Sequence, residues 1–154
     1  MDVELPPPGE LVTRLTDPAR RRPLAVLDPT WPSELRHQAA SDLAAAHHEG
    51  RLGADDLVLF TSGSTGRPRG VVRTMASWVA SLQPLSAVTG IGPADVVWLP
   101  GPLTSSLSLY GAFHAAAVGA TSGVLTHTAT AAHLVPSVLP MRSGRHTCSP
   151  ACER

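Results

Sequence analysis

Residues 61–70 run Thr61-Ser62-Gly63-Ser64-Thr65-Gly66-Arg67-Pro68-Arg69-Gly70 and gather three glycines, four hydroxyls and two guanidinium groups. They follow directly on the apolar run Leu57-Val58-Leu59-Phe60. Glycine lets backbone N–H groups turn towards one point and lets an anion approach closely. Hydroxyls add donors and arginine adds charge. At the end of a strand, where open α/β sheets place their ligands, this composition suits a phosphate cradle. It is not a Walker A loop, which needs G-x-x-x-x-G-K-[ST]; Gly63 and Gly66 are too close and no Lys-Ser or Lys-Thr follows. The competing reading is a plain connecting loop, the usual role of Ser/Thr/Gly/Pro clusters.

The run from Leu57 to Val71 resembles the signature of the adenylate-forming superfamily, which includes acyl- and aryl-CoA synthetases, o-succinylbenzoate–CoA ligase and adenylation domains. The resemblance implies activation of a carboxylate by ATP to an acyl-adenylate with release of pyrophosphate. CoA or another thiol then takes the acyl group. It also implies that Ser62, Ser64 and Thr65 donate to the β- and γ-phosphates. Gly63, Gly66 and Gly70 let the backbone close in, Thr61 belongs to the same phosphate-binding set and Arg69 supplies charge. The family usually carries lysine at the position of Arg69. This chain has no lysine at all, its 12 basic residues being arginine. Arginine keeps the charge but replaces a compact ammonium with a planar fork. With abundant Ala, Pro and Gly, the arginine bias looks like a GC-rich coding sequence.

Elements must position this loop. With 154 residues, 43% of them hydrophobic, the chain is expected to form at most one ordinary domain with a real core. Residues 1–23, rich in Pro and Arg, read as a linker or ragged N-terminus, and Arg20-Arg21-Arg22 as a solvated run. Leu24–Leu27 reads as a buried strand ended by Asp28-Pro29, and Leu27–Pro32 resembles a strand-to-helix segment of the same family. Ser33 is expected to cap a helix carrying Leu35, Ala39, Leu43 and Ala46 on one face, with His47 and His48 at its C-terminal dipole and Gly50 as its stop. Leu57–Phe60 is a strand and Gly70–Arg73 a short second one. Met75, Trp78, Val79 and Leu82 then mark a helix that Pro84 should end or kink. Trp78 reads as core.

Val96–Leu99 is a further strand. In the family the segment after it often carries an aromatic residue or His lining the acyl pocket; Leu103-Thr104-Ser105-Ser106 has neither. Leu107, Tyr110, His114 and Val118 form one helical face stopped by Gly119, with His114 read as a core histidine. Ser122–Leu125 is the last expected strand. Strands alternating with helices predict an α/β fold: a partial large N-terminal domain of an adenylate-forming enzyme, with a mostly parallel sheet flanked by helices. The resemblance spans 24–139, and residues 140–154 read as a disordered, out-of-frame tail.

Net charge is zero, which gives no reason to expect nucleic-acid or anionic-membrane partners. The segment from Val96 to Met141 has no Asp, Glu, Lys or Arg. Its Gly, Pro, Ser and His residues favour a buried core over a membrane span. The acidic, Pro-broken N-terminus shows no signal peptide, and a cytoplasmic location is expected. Cys148 and Cys152, near His146 and Glu153, read as reduced thiols and not as a metal site. The resemblance further implies a Tyr-Gly-x-Thr-Glu segment whose Glu helps hold Mg²⁺ with ATP, a Thr-Gly-Asp segment and a C-terminal catalytic lysine. None is present. The expectation is therefore a fragment that retains the phosphate loop and lacks turnover. The alternatives are a non-catalytic nucleotide-binding module or an inactive pseudogene product. Apolar surface and an open sheet edge are expected to make it poorly soluble or partner-dependent.

Overall fold

The computed structural model describes residues 3–61, 68–123 and 128–133. Helices lie against two small sheets, the α/β arrangement expected. The first sheet has the order β1(Leu24–Ala25), β2(Asp56–Thr61), β3(Arg69–Thr74); the second has β5(Thr121–Gly123), β4(Val96–Trp98), β6(Ala131–Ala132). All strand pairs in the second sheet are parallel, as is β1 with β2. The β2–β3 pair is antiparallel. The physical reason is connection length: a parallel return needs a crossover of about a dozen residues or more, and the loop between β2 and β3 is too short for one.

Residues 1–23, expected as a linker, are packed from Val3 onwards. A 3-10 turn at Pro8–Glu10 leads into α1(Leu11–Leu15), whose Leu11 and Leu15 are buried. Pro at the first turn suits a position where the N–H has no helical partner anyway. Glu4 bridges to Leu24 in parallel, and Ala25 donates its N–H to the Glu4 carbonyl. Arg20, expected in a solvated run, is half-buried. Its guanidinium donates to the carbonyls of Arg22 and Ala54 at 2.6 and 2.9 Å, which ties the segment to the turn before β2.

Helix α2(Ser33–His48) begins one residue differently from expectation: Pro32 holds the cap position and no side chain caps it. Glu34 sits in its first turn and Gly50 follows it with φ +73°, as a chain leaving a helix requires. His47 also has a specific partner, its Nδ1–H donating to the Leu52 carbonyl at 2.8 Å.

Helix α3(Met75–Thr89) runs past Pro84, where a stop or kink was expected. Proline removes the bond to the carbonyl four residues earlier. That carbonyl belongs to exposed Ala80, so water can satisfy it. The helix is also secured at both ends. Thr74 accepts from the Ser77 N–H, Asp55 Oδ2 accepts from the Ala76 N–H, and Gly90 closes it with φ +67°. Helix α4(Ser106–Val118) has the predicted Gly119 stop and a Ser105 cap. β5 covers part of the last expected strand; Val124 and Leu125 lie outside the described residues, as does the tail read at 140–154.

Three clusters form the core. Leu57 and Leu59 of β2 meet Leu11, Leu15, Met75, Trp78, Leu109 and Phe113 on one sheet face. Val58 meets Leu43, Ala46 and Leu52 on the other. Val97 and Leu99 pack on Ala112 and Ala115. Trp78 is 8% exposed and stands edge-on to Tyr110 with ring centroids 5.1 Å apart, which is the core role expected of it. Each fully buried leucine contributes about 1.5–3 kcal/mol of burial. No helix among the described residues is long and apolar enough to cross a membrane.

Candidate functional site

Strand β2 is buried through Leu57–Leu59 and delivers the chain to the surface at Thr61. β3 takes it back with Thr61 opposite Arg69, Phe60 opposite Gly70 and Leu59 opposite Val71. β2 and β3 thus pair up to Thr61 and Arg69, on either side of the glycine- and hydroxyl-rich segment. Ser62, Gly63, Ser64, Thr65, Gly66 and Arg67 lie outside the described residues. Thr61, Pro68, Arg69 and Gly70 are described.

Antiparallel pairing puts directly opposed residues on the same face. Thr61, Arg69, Val71 and Arg73 therefore share the face that carries Leu57 and Leu59, towards α3 and α4. Gly70 and Val72 share the face towards α2 with Val58 and Phe60. Arg69 is exposed, and among the described residues its guanidinium forms no ion pair. The Thr61 hydroxyl reaches the Arg69 carbonyl only at 3.5 Å, a weak contact that leaves it able to reorient.

The structure gives Gly70 a reason beyond backbone approach. A Cβ there would lie 3.3 Å from Val58 Cγ1 and 3.4 Å from Phe60 Cε1, so the bare glycine makes room for the Phe60 ring. Phe60 in turn meets Trp31 edge-on at 5.3 Å. That contact links the hairpin base to the Asp28–Pro32 turn, where Asp28 Oδ1 accepts from the Thr30 N–H and hydroxyl.

Among the described residues, two cavities border the hairpin strands. The larger, of 920 Å³, lies on the α2 face and is lined by Trp31, Leu35, Leu43, Phe60, Gly70 and Val72 among others. The second, of 690 Å³, lies on the Arg69 face. Its walls include Leu59, Arg73, Trp78, Ser106 and Tyr110, with Ser81 Oγ 2.6 Å from the Tyr110 hydroxyl. Arg73 was read from sequence only as part of a strand. The signal for it was present in the period-two spacing of Arg69 and Arg73, which places both cations on one face.

Arg67, Arg69 and Arg73 give the segment from Leu57 to Thr74 a positive formal charge. From Leu57 to Ala94 the chain has no Asp or Glu, so no carboxylate adjoins the loop in sequence. Asp55 and Asp56 are used at the opposite end of β2, on the Ala76 and Gly53 N–H groups. Among the described residues no group of three or more His, Cys, Asp or Glu can hold a metal. Cys148, Cys152 and His146 lie outside them.

The profile of the family described as AMP-binding enzyme matches residues 8–143, nearly the whole chain. The chain belongs to the AMP-binding enzyme family. The match takes in residues 8–23, in keeping with their packing against the core. One relative of this family member is the uncharacterised acyl-CoA ligase YhfT of Bacillus subtilis, 42% identical over 62 residues, which is 40% of this chain and 13% of YhfT. Among solved structures, the fold is similar to the o-succinylbenzoate CoA synthetase MenE of Bacillus subtilis in complex with OSB-AMP. The TM-score is 0.56 at 18% identity over 78% of this chain and 41% of MenE. It is also similar to VinN in complex with 3-methylaspartate, with a TM-score of 0.53 at 18% identity over 78% of this chain and 45% of VinN. Another MenE structure holds ATP and a magnesium ion. At such identities the likeness concerns the fold. This AMP-binding enzyme chain spans less than half the length of these relatives.

Proposed function

We propose that this chain carries the phosphate-holding hairpin of an enzyme that activates a carboxylate with ATP for transfer to CoA or another thiol, and that alone it binds nucleotide without turnover. The observation that carries the reading is the β2–β3 pairing. Pairing of Thr61 with Arg69 fixes both ends of the loop and sets a solvent-facing guanidinium beside it. In this reading Ser62, Ser64, Thr65 and the Gly63, Gly66 and Gly70 backbone donate to the β- and γ-phosphates of ATP, and Arg69 neutralises them.

Adenylation asks for more. The α-phosphate must be polarised and the charge developing on it stabilised by fixed cations or metal. The acceptor carboxylate must be aligned with the phosphorus. No acidic residue adjoins the loop and the chain contains no lysine, so those duties fall to parts of an intact ligase that this sequence does not contain. No step through magnesium is assigned to it.

Calorimetric titration with ATP and with AMP, beside a pyrophosphate-release assay, tests the reading. ATP is expected to bind more tightly than AMP, with no pyrophosphate released. Arg69→Ala removes a charge-assisted contact of about 1.5–3 kcal/mol, so ATP should weaken roughly 10- to 150-fold while AMP changes little. Equal affinities for ATP and AMP, both insensitive to Arg69→Ala, would sink the proposal.

A further inference from the structure

Helix α4 buries a histidine completely: His114 is 0% exposed. Its Nε2 lies 2.9 Å from Ser86 Oγ on α3. Its ring centroid is 5.9 Å from that of His133, which directly follows the edge strand β6. Two ring nitrogens, His114 Nδ1 and His133 Nε2, are buried with no hydrogen-bond partner among the described residues. A bare lone pair is tolerable there. A proton on either nitrogen would create a cation and a donor without an acceptor, both costly away from water.

Among the described residues, the elements around the two rings supply no counter-ion. α4 packs against α1, α3, β4 and β5. α3, α4, β4, β5 and β6 contain no Asp, Glu, Lys or Arg, and Tyr110 is the other titratable group on α4. The charged residue of α1, Arg14, pairs with Glu10 at 3.8 Å. Burial accordingly holds the His114 imidazolium below the usual range, and burial together with the neighbouring His114 does the same for His133.

The seat of His133 is also shaped for it. A Cβ on Gly111 would lie 2.9 Å from His133 Cγ, so the α4 surface is left bare where the ring lies. β6 itself is held by few bonds. The Thr130 and His133 N–H groups donate to Val96 and Trp98 carbonyls at 2.9 and 3.2 Å. The Thr130 hydroxyl donates to Asp95 Oδ1 at 2.7 Å, and this bond and the Gly92 N–H keep the Asp95 carboxyl below its ordinary range. Asp95 therefore stays ionised through the range in which histidines titrate, and that end of the segment does not release there.

We propose that His114 and His133 form an acid-sensitive latch that holds the β6 edge strand on α4 while both rings are neutral and releases it when they are protonated. The sign follows from linkage. Folded-state values below the ordinary one mean that the open state binds more protons, so the latch is at full strength above about pH 6.5 and weakens as pH falls. Release frees the end of the segment at His133, with Thr130 still anchored by Asp95.

The test is amide hydrogen exchange of the full chain between roughly pH 7.5 and pH 5, corrected for intrinsic rates, with β2 as internal reference. Protection at Ala131–His133 should fall about tenfold or more relative to β2, because each proton taken up only in the released state favours release by up to about tenfold per pH unit below about 6.5. In a His114→Gln/His133→Gln double variant the relative protection should not change with pH. Equal pH dependence in the variant and the parent chain overturns the proposal. If the double variant fails to fold, NMR titration of the histidine ring protons in the parent chain decides instead. Ordinary pKa values for both His114 and His133, with β6 amides unmoved, overturn it as well.

Discussion

Substituting Gly111 with alanine sets two opposed terms against each other, and the geometry decides which wins. In a helix interior, alanine is favoured over glycine by about 0.8–1.0 kcal/mol, so on propensity alone Gly111→Ala should stabilise α4. The new Cβ, however, would lie 2.8 Å from Leu99 Cδ2 and 2.9 Å from His133 Cγ, with His133 Cδ2 at 3.1 Å. Leu99 is 4% exposed at the end of β4 and belongs to the cluster with Val97, Ala112 and Ala115, so it has little room to retreat. Overpacking of this kind costs about 1–3 kcal/mol. The expected net effect is a loss of up to about 2 kcal/mol, with His133 displaced more readily than Leu99 because it is half-buried and directly follows a two-residue strand. Urea unfolding followed by tryptophan fluorescence reads it directly, since Trp78 is in the core and Trp98 is on β4. A Gly111→Ala chain that is more stable than the parent by the full helix-propensity term would refute the reasoning. It would mean that the α4–β4–β6 contact is loose enough to absorb a methyl group.

Gly119 has φ +77° at the C-terminus of α4, so Gly119→Ala should lower the melting free energy by about 1–2 kcal/mol; an unchanged midpoint in urea would argue against the αL stop. Leu109 is 0% exposed between α1, α3 and the first sheet, and Leu109→Ala should cost about 2–5 kcal/mol, measurable as a lower thermal midpoint or outright loss of cooperative melting. Phe60→Ala should loosen the hairpin base at Trp31 and Gly70; a rise in amide exchange at Gly70 and Val71 without a rise at Val97 is the expected pattern.

Sequence made the hairpin strands legible because their apolar run is short and sharply bounded, and because Gly and Pro punctuate its tip. It also made α2, α4 and their glycine stops legible, since a residue with positive φ after an apolar-periodic run is a local requirement. What it missed depends on distant partners. Leu11 and Leu15 sit in a Pro- and Arg-rich stretch whose composition suggests solvent, yet a single turn of helix buries both against α4 and the first sheet. Pro84 reads as a stop by local sterics, but caps at Thr74 and Gly90 and the anchoring of Met75 and Trp78 carry the helix through it. Arg73 looked like a strand residue until the register put it beside a cavity on the Arg69 face. Asp55 gave no sign that it would cap a helix 21 residues ahead. Gly70, read for phosphate approach, makes room for the Phe60 ring, which no spacing rule exposes.

The first sheet has unlike borders. At the β1 side, Glu4 already takes up the Pro23 carbonyl and the Ala25 N–H, on either side of Leu24. At the β3 side all six residues are exposed, Val71 and Val72 among them. A strand arriving at β3 from a second copy of the chain would bring its own covered β1 border to the far end of the joined sheet. Edge pairing of that kind would stop at two copies, because the joined sheet would offer no second β3 border to a third.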